Sequence, residues 1–284
     1  MKPVKIVTDS VVDLPKDLQE KYDISFLPLT MHWEGKDFRD RIDIQPSECY
    51  ERMAAGAPIP QTSQVSVGQF VAFFRPFLME GREVLYTGIS SGISATFFSA
   101  LQAKKELGSP NALHLVDSKT CSLAACFKLL EAAKVADQGG DGLACAQAVE
   151  NSHARVGTFF TVATLEYLHR GGRINTAKRI FGSALQIKPM MWMNKDDGKI
   201  DLVESVISRK KAINRMVELM VKEVAGRKVM RMGVEHALAA EEAAELERMA
   251  VEAVQPGEVV RSELSPVIGS HVGPGTLNLA FICE

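Results

Sequence analysis

Cysteine is scarce in this chain and shows no paired pattern. The five residues (Cys49, Cys121, Cys126, Cys145 and Cys283) are odd in number and never fall at C-x-x-C spacing, which argues against a disulfide framework and leaves zinc without a ligand pattern. A reducing cytoplasm is the expected compartment. An excess of one charge is also missing: 33 Lys and Arg stand against 35 Asp and Glu, a net charge of -2, so there is no footprint for nucleic acid and at most transient contact with a membrane. No uncharged run reaches the length of a membrane span. The six histidines lack H-E-x-x-H spacing, no P-loop is present, and "HVGPGTLN" has Asn278 where a dinucleotide fingerprint needs a third glycine, so neither a metal nor a cofactor is expected. The opening "MKPVKIVTDS" reaches Asp9 after a short apolar run and is expected to form a first strand rather than a leader.

What the chain does have is an ordinary globular composition, 46% hydrophobic and 24% charged over 284 residues, enough for two medium domains. Up to about residue 155, apolar strand-like runs ("VKIVTDS", "ISFLPLTM", "EVLYTGIS", "ALHLVDS") alternate with helical patterns. That alternation predicts an α/β domain over residues 1–155, a mainly parallel sheet in a three-layer α/β/α arrangement. In such sheets ligands bind beyond the carboxyl ends of the strands. From 156 to 284 the pattern changes. "IKPMMWM" and "KIDLVESVIS" flank the turn-rich "NKDDG", and two amphipathic helices follow around 209–225 and 239–254. A second, α+β domain with a mixed or antiparallel sheet is expected, with a ligand between the two.

"TGISSGISATFFSA", residues 87–100, places Ser90, Ser91, Ser94 and Thr96 between a strand and a helix. Helix starts carry unpaired N–H groups and the positive end of the dipole, so such a corner suits an anion or a polarised carbonyl. One hydroxyl suffices for a cap. The same stretch also contains G-x-S-x-G centred on Ser90, and Asp117 and His271 complete the order of a serine hydrolase triad; the helical pattern starts too late after Ser90 for a nucleophile elbow. "TSQVSVGQF" predicts a second helix start, with Ser66 and Gln69 at capping-box spacing. "HRGGRINTAKR" reads as a helix end with Gly-Gly as stop signal and an Asn175 cap, or as a basic partner surface.

Seven stretches in order, "VTDSVVDLP", "PQTSQVS", "SSGISATFFSA", "VDSKTCS", "LEYLHRGGRI", "IKPMM" and "IGSHVGPGTL", resemble the DegV family over almost the whole chain. The resemblance implies a two-domain fold holding a long-chain fatty acid between its domains. Its best understood members are fatty-acid-binding subunits of a two-component fatty acid kinase, which have no catalytic site of their own and present the carboxylate to an ATP-dependent kinase for acyl phosphate formation and phospholipid synthesis. By that resemblance Thr62 and Ser94 are the main hydroxyl ligands, with Ser63, the backbone at Ala95, and His271 of the "HVGPG" loop close by. Arg170, Arg173 and Arg209 would lie near the head group. A carrier of another amphipathic carboxylate would share the same site. The chain departs from the family pattern at Ala95, Val65, Ala124 and Cys126, where small glycines or a proline are usual.

Overall fold

A computed structural model describes residues 4–182 and 187–284. The first three residues of the expected opening strand lie outside it. The strand itself runs Val4–Asp9 and pairs in parallel with Ser25–Leu27 on one side and Glu83–Tyr86 on the other; Leu113–Leu115 completes a four-stranded parallel sheet. Successive residues serve opposite faces, as a strand requires. Val7, Val84 and Tyr86 pack with Phe70 and Phe74 of the helix Val67–Met79, whereas Val4, Ile6 and Leu85 pack with the helix Ser122–Asp137. The sheet is thus the middle of three layers.

One expected strand divides. "ISFLPLTM" is interrupted at Pro28, which has no N–H to give to a ladder: Ser25–Leu27 stays in the parallel sheet, and Thr30–Trp33 leaves it for a three-stranded antiparallel sheet with Lys36–Arg39 and Gln61–Ser63. That small sheet carries Thr62.

The second sheet has six strands in the order Ile200–Val206, Lys188–Met193, Val156–Thr161, Thr276–Cys283, Val229–Ala237, Val259–Arg261. All its pairings are antiparallel except the last. The "NKDDG" turn joins the first two of these strands as a hairpin. Alternation again divides the faces. Phe159, Leu277, Leu279 and Phe281 pack under the amphipathic helices Arg209–Val224 and Ala240–Val254, while Phe160, Met191 and Met193 face the other way, toward the parallel-sheet half.

The helix Ser122–Asp137 lies between the two sheets. Twelve of its sixteen residues are buried, most of them small, because a helix covered on opposite sides by sheets has no room for long side chains. Ala124 and Cys126 are therefore core residues of the contact between the sheets, and Val65 is core as well. Small residues on this helix set how closely the sheets approach.

A cavity between the two sheets

The carboxyl ends of the parallel strands converge on one edge, and the hydroxyl corner follows Glu83–Tyr86 there. Asp9 organises it from beneath. Its Oδ2 accepts from the Tyr86 hydroxyl at 2.9 Å and from the Ile89 N–H at 2.8 Å, and burial raises its carboxyl to about 6. A Cβ on Gly88 would stand 2.0 Å from that same oxygen, so only glycine fits the turn. The four hydroxyls then separate by task. Ser90 is fully buried and donates to the carbonyl of Gly198 in the hairpin turn of the other sheet, 2.8 Å away. Ser91 donates to Asp117 at 2.5 Å. Ser94 accepts the Thr96 N–H and stands 2.9 Å from the Thr96 hydroxyl at the start of the helix Thr96–Glu106. Of the four, Ser94 alone faces open space.

That space is a cavity of about 420 Å³ between the sheets. Ile89, Ile93 and Leu29 line it from the first half, and Phe160, Met193 and Ile268 from the second. At one side Thr62, Ser63, Ser94, Ala95, His271 and Arg173 share its wall. Thr62 Oγ1 lies 2.8 Å from His271 Nε2. Burial, with the Arg173 guanidinium adding to it, pushes His271 down to about 4, so the imidazole is neutral at physiological pH. Ser63 is held by His32 at 3.0 Å, itself 2.6 Å from Asp37. His32 is a supporting residue with no signature in the sequence; only the strand register that sets Thr30 opposite Ser63 brings it there.

Arg173 is half-buried, and desolvation lowers its pKa. Its hydrogen bonds go to the carbonyls of Ile93 at 3.1 Å and of Gly171. Among the described residues it has no carboxylate partner. A guanidinium facing an apolar cavity without a counter-charge leaves a place for an anion.

The other two arginines are placed elsewhere. Arg170 is 62% exposed and pairs with Glu166 one helical turn away, at 2.7 Å. Arg209 begins its helix and forks onto Glu242 at 2.9 and 2.8 Å, away from the cavity. His271 sits in the last turn of the helix Pro266–Val272 rather than in the "HVGPG" loop, because the helix continues until Gly273, whose φ of +79° ends it. Asn175 is not a cap. It opens a 3-10 turn at φ 35° and donates to Asp201 at 2.7 Å.

The geometry does not assemble a hydrolase triad. Ser90 gives its proton to a backbone carbonyl, Asp117 binds Ser91 and the Lys119 N–H, and His271 faces Thr62. A serine nucleophile needs its base within hydrogen-bond reach. Among the described residues no helix is long and apolar enough to cross a membrane.

The chain matches, over residues 3–284, a family model described as "Uncharacterised protein, DegV family". The Protein DegV of Bacillus subtilis is 31% identical over 279 residues, 98% of either chain. Among solved structures, a DegV family protein from Thermus thermophilus, described for its fatty acid binding, superposes with a TM-score of 0.92 at 30% identity, covering 99% of this chain and 100% of that one. A stearic acid-binding protein from Eubacterium ventriosum gives 0.89 at 27% identity, with 99% and 98% covered.

Proposed function

The chain belongs to the DegV family, and from that premise we propose that it is a cytoplasmic carrier of a long-chain fatty acid, held in the cavity between the sheets. The carboxylate accepts from Thr62, Ser63, Ser94 and the backbone at Ala95, with the neutral His271 beside it and Arg173 supplying the counter-charge. The observation that carries this reading is Arg173 itself: a half-buried cation with only carbonyls for partners among the described residues, on the wall that Thr62, Ser63, Ser94 and His271 share, with Ile89, Ile93, Phe160 and Met193 lining the rest of the cavity's apolar surface. An ionised ligand with a long apolar remainder satisfies both halves of that wall. Each methylene taken out of water contributes roughly 0.8 kcal/mol before ordering costs, so the tail provides most of the affinity. The head group provides identity.

Among the described residues that line the cavity there is no serine with His271 in hydrogen-bond reach, and the sequence has no P-loop. In this reading the carrier presents its ligand to an ATP-dependent kinase protein, which phosphorylates the carboxylate, and the acyl phosphate enters phospholipid synthesis. The exposed Arg170, beside the cavity helix that bears His271, is the charge available to meet such a partner.

Native mass spectrometry of protein made in bacteria, followed by denaturing lipid extraction, tests the carrier reading. About one long-chain fatty acid per chain is expected. An extract without fatty acid, together with no binding of added palmitate or oleate, would reject it.

A further inference from the structure

Thr158 and Met193 border the cavity and also a second, smaller pocket, formed where the loop 118–120 and the central helix Ser122–Asp137 meet the hairpin of the second sheet. Thr158 pairs with Ala280, four residues along its strand from Thr276, whose hydroxyl donates to Val272 in the helix of His271. At about 3.3 Å per residue, the second pocket begins roughly 13 Å from the row of Thr276. It lies at the far end of the cavity from Thr62 and His271.

Three lysines stand on the wall of this pocket, against one carboxylate. Lys128, on the central helix, is only 4% exposed. Among the described residues its hydrogen bond goes to the Ser118 carbonyl at 2.7 Å, and no carboxylate pairs with it. Lys119 likewise donates to a carbonyl, that of Asp196, at 2.7 Å. Lys195 takes the carboxylate, Glu223, also at 2.7 Å. Burial, with Lys195 and Lys119 adding positive charge, pushes Lys128 down to about 7. Thr120 shares the wall, and its buried hydroxyl has no hydrogen-bond partner. A buried cation without a counter-charge is costly, and an anion placed among these groups removes that cost.

Size decides what kind of anion fits. The pocket has a volume of about 10 Å³, room for roughly one water-sized group. A phosphate or sulfate is too large to lie inside it. A carboxylate can extend one oxygen into it while its carbon stays in the cavity beside Thr158, and the wall shared at Thr158 and Met193 provides that approach.

We infer that the far end of the cavity is an anion site that takes the second carboxylate of a long-chain dicarboxylic acid, with Lys128 as its counter-charge. This rests on the fatty acid reading of the cavity and adds the class of chain. A cavity with an apolar end would bind such an acid at least roughly a hundredfold more weakly than the monoacid of equal length, because a carboxylate would be buried unpaired. Here at least one of dodecanedioate, tetradecanedioate, hexadecanedioate and octadecanedioate should bind within about threefold of the monoacid of its length, or tighter. Lys128→Met keeps the stem of the side chain and removes the charge, so it should weaken the favoured diacid about tenfold or more and change palmitate by less than about threefold. Fluorescent displacement reads these affinities. In the wild-type protein, whose folding is not at issue, the Lys128 amine followed by NMR should titrate at higher pH with the diacid bound and not with palmitate. Rejection of every diacid while palmitate binds, or equal losses of diacid and palmitate in Lys128→Met, overturns this inference alone. Rejection of every diacid with the Lys128 titration raised by chloride means that the pocket holds a small free ion only, and overturns it as well. No binding of palmitate or of any diacid overturns the fatty acid reading and this inference with it.

Discussion

Thr62 Oγ1 and His271 Nε2 are 2.8 Å apart although 209 residues separate them in sequence. Thr62 comes from the edge strand of the small antiparallel sheet, and His271 from the last turn of the helix that connects Val259–Arg261 to Thr276–Cys283 in the second sheet. The contact closes the polar side of the cavity with one group from each half of the chain.

Removing the Ser94 hydroxyl should weaken the carboxylate's hold. A hydrogen bond to a charged group is worth about 1.5–3 kcal/mol, so Ser94→Ala should reduce fatty acid affinity roughly ten- to a hundredfold. The methyl ester should lose less. Calorimetry with acid and ester distinguishes a head-group role for Ser94 from capping of Thr96 alone, for which both ligands would respond equally.

Ser90 should behave differently from Ser94. Its proton is committed to the Gly198 carbonyl, 108 residues away, so Ser90→Ala leaves a buried carbonyl short of its donor at a cost of about 1–3 kcal/mol. Denaturant unfolding should show that loss, with fatty acid affinity changed by less than threefold. A fluorophosphonate probe should not label the wild-type serine. Labelling at Ser90 would restore the hydrolase reading.

Arg173 should control the discrimination between acid and ester. Arg173→Met keeps the stem of the side chain and removes the charge, so affinity for the free acid should fall by at least tenfold while the methyl ester is nearly unaffected. The melting temperature of the empty protein should hold or rise, since an unpaired cation at an apolar wall is costly to bury. Equal losses for acid and ester would place the carboxylate elsewhere.

Acid pH should expose the cost of burying His271. Its folded pKa of about 4 lies below the ordinary histidine value of 6.5, so the unfolded chain binds the extra proton between those limits and stability falls as pH drops through that window. The full effect is on the order of 3 kcal/mol. Asp9 and Asp40, both raised to about 6 by burial, act in the opposite sense and cancel when wild type is compared with His271→Gln. Urea unfolding from pH 7 to 4.5 should show wild type losing more than the variant; parallel curves would mean that the imidazole is not desolvated.

Charge reversal at Arg170 should separate carrying from presentation. The side chain is exposed and its pair with Glu166 is a surface one, so Arg170→Glu should leave fatty acid affinity and stability nearly unchanged. Acyl phosphate formation with the cognate kinase and ATP should slow severalfold and depend less on salt. Unchanged turnover at low salt would remove Arg170 from the partner surface.

Much of this was legible in the residues because it depends on near neighbours. Alternating apolar runs in "VKIVTD" and the capping box at Ser66 and Gln69 depend on local backbone preference, and the structure contains both. The hairpin around "NKDDG" and the helices after Arg209 and Ala240 were readable for the same reason. Pro28 carried the information that its strand would break, but not the destination of Thr30–Trp33, since an unpaired strand has no preference among sheets until one offers an edge.

The sequence alone determined the two kinds of sheet, the helix starts and a corner rich in hydroxyls, because periodicity and capping are set within a few residues. Tertiary structure alone decided which hydroxyls remained free. Four looked equivalent between Ser90 and Thr96; the hairpin turn at Gly198 claimed Ser90, Asp117 claimed Ser91, and Thr96 closed its own helix start beside Ser94. The same holds for the arginines. Arg170, Arg173 and Arg209 differ little as residues, yet Glu166 and Glu242 neutralise two of them, and Arg173 is left facing the cavity because, among the described residues, the packing of the two sheets brings it only carbonyls. A hydrogen-bonding group becomes a binding group when the fold supplies it with no better partner, and that balance is struck between residues far apart in the chain.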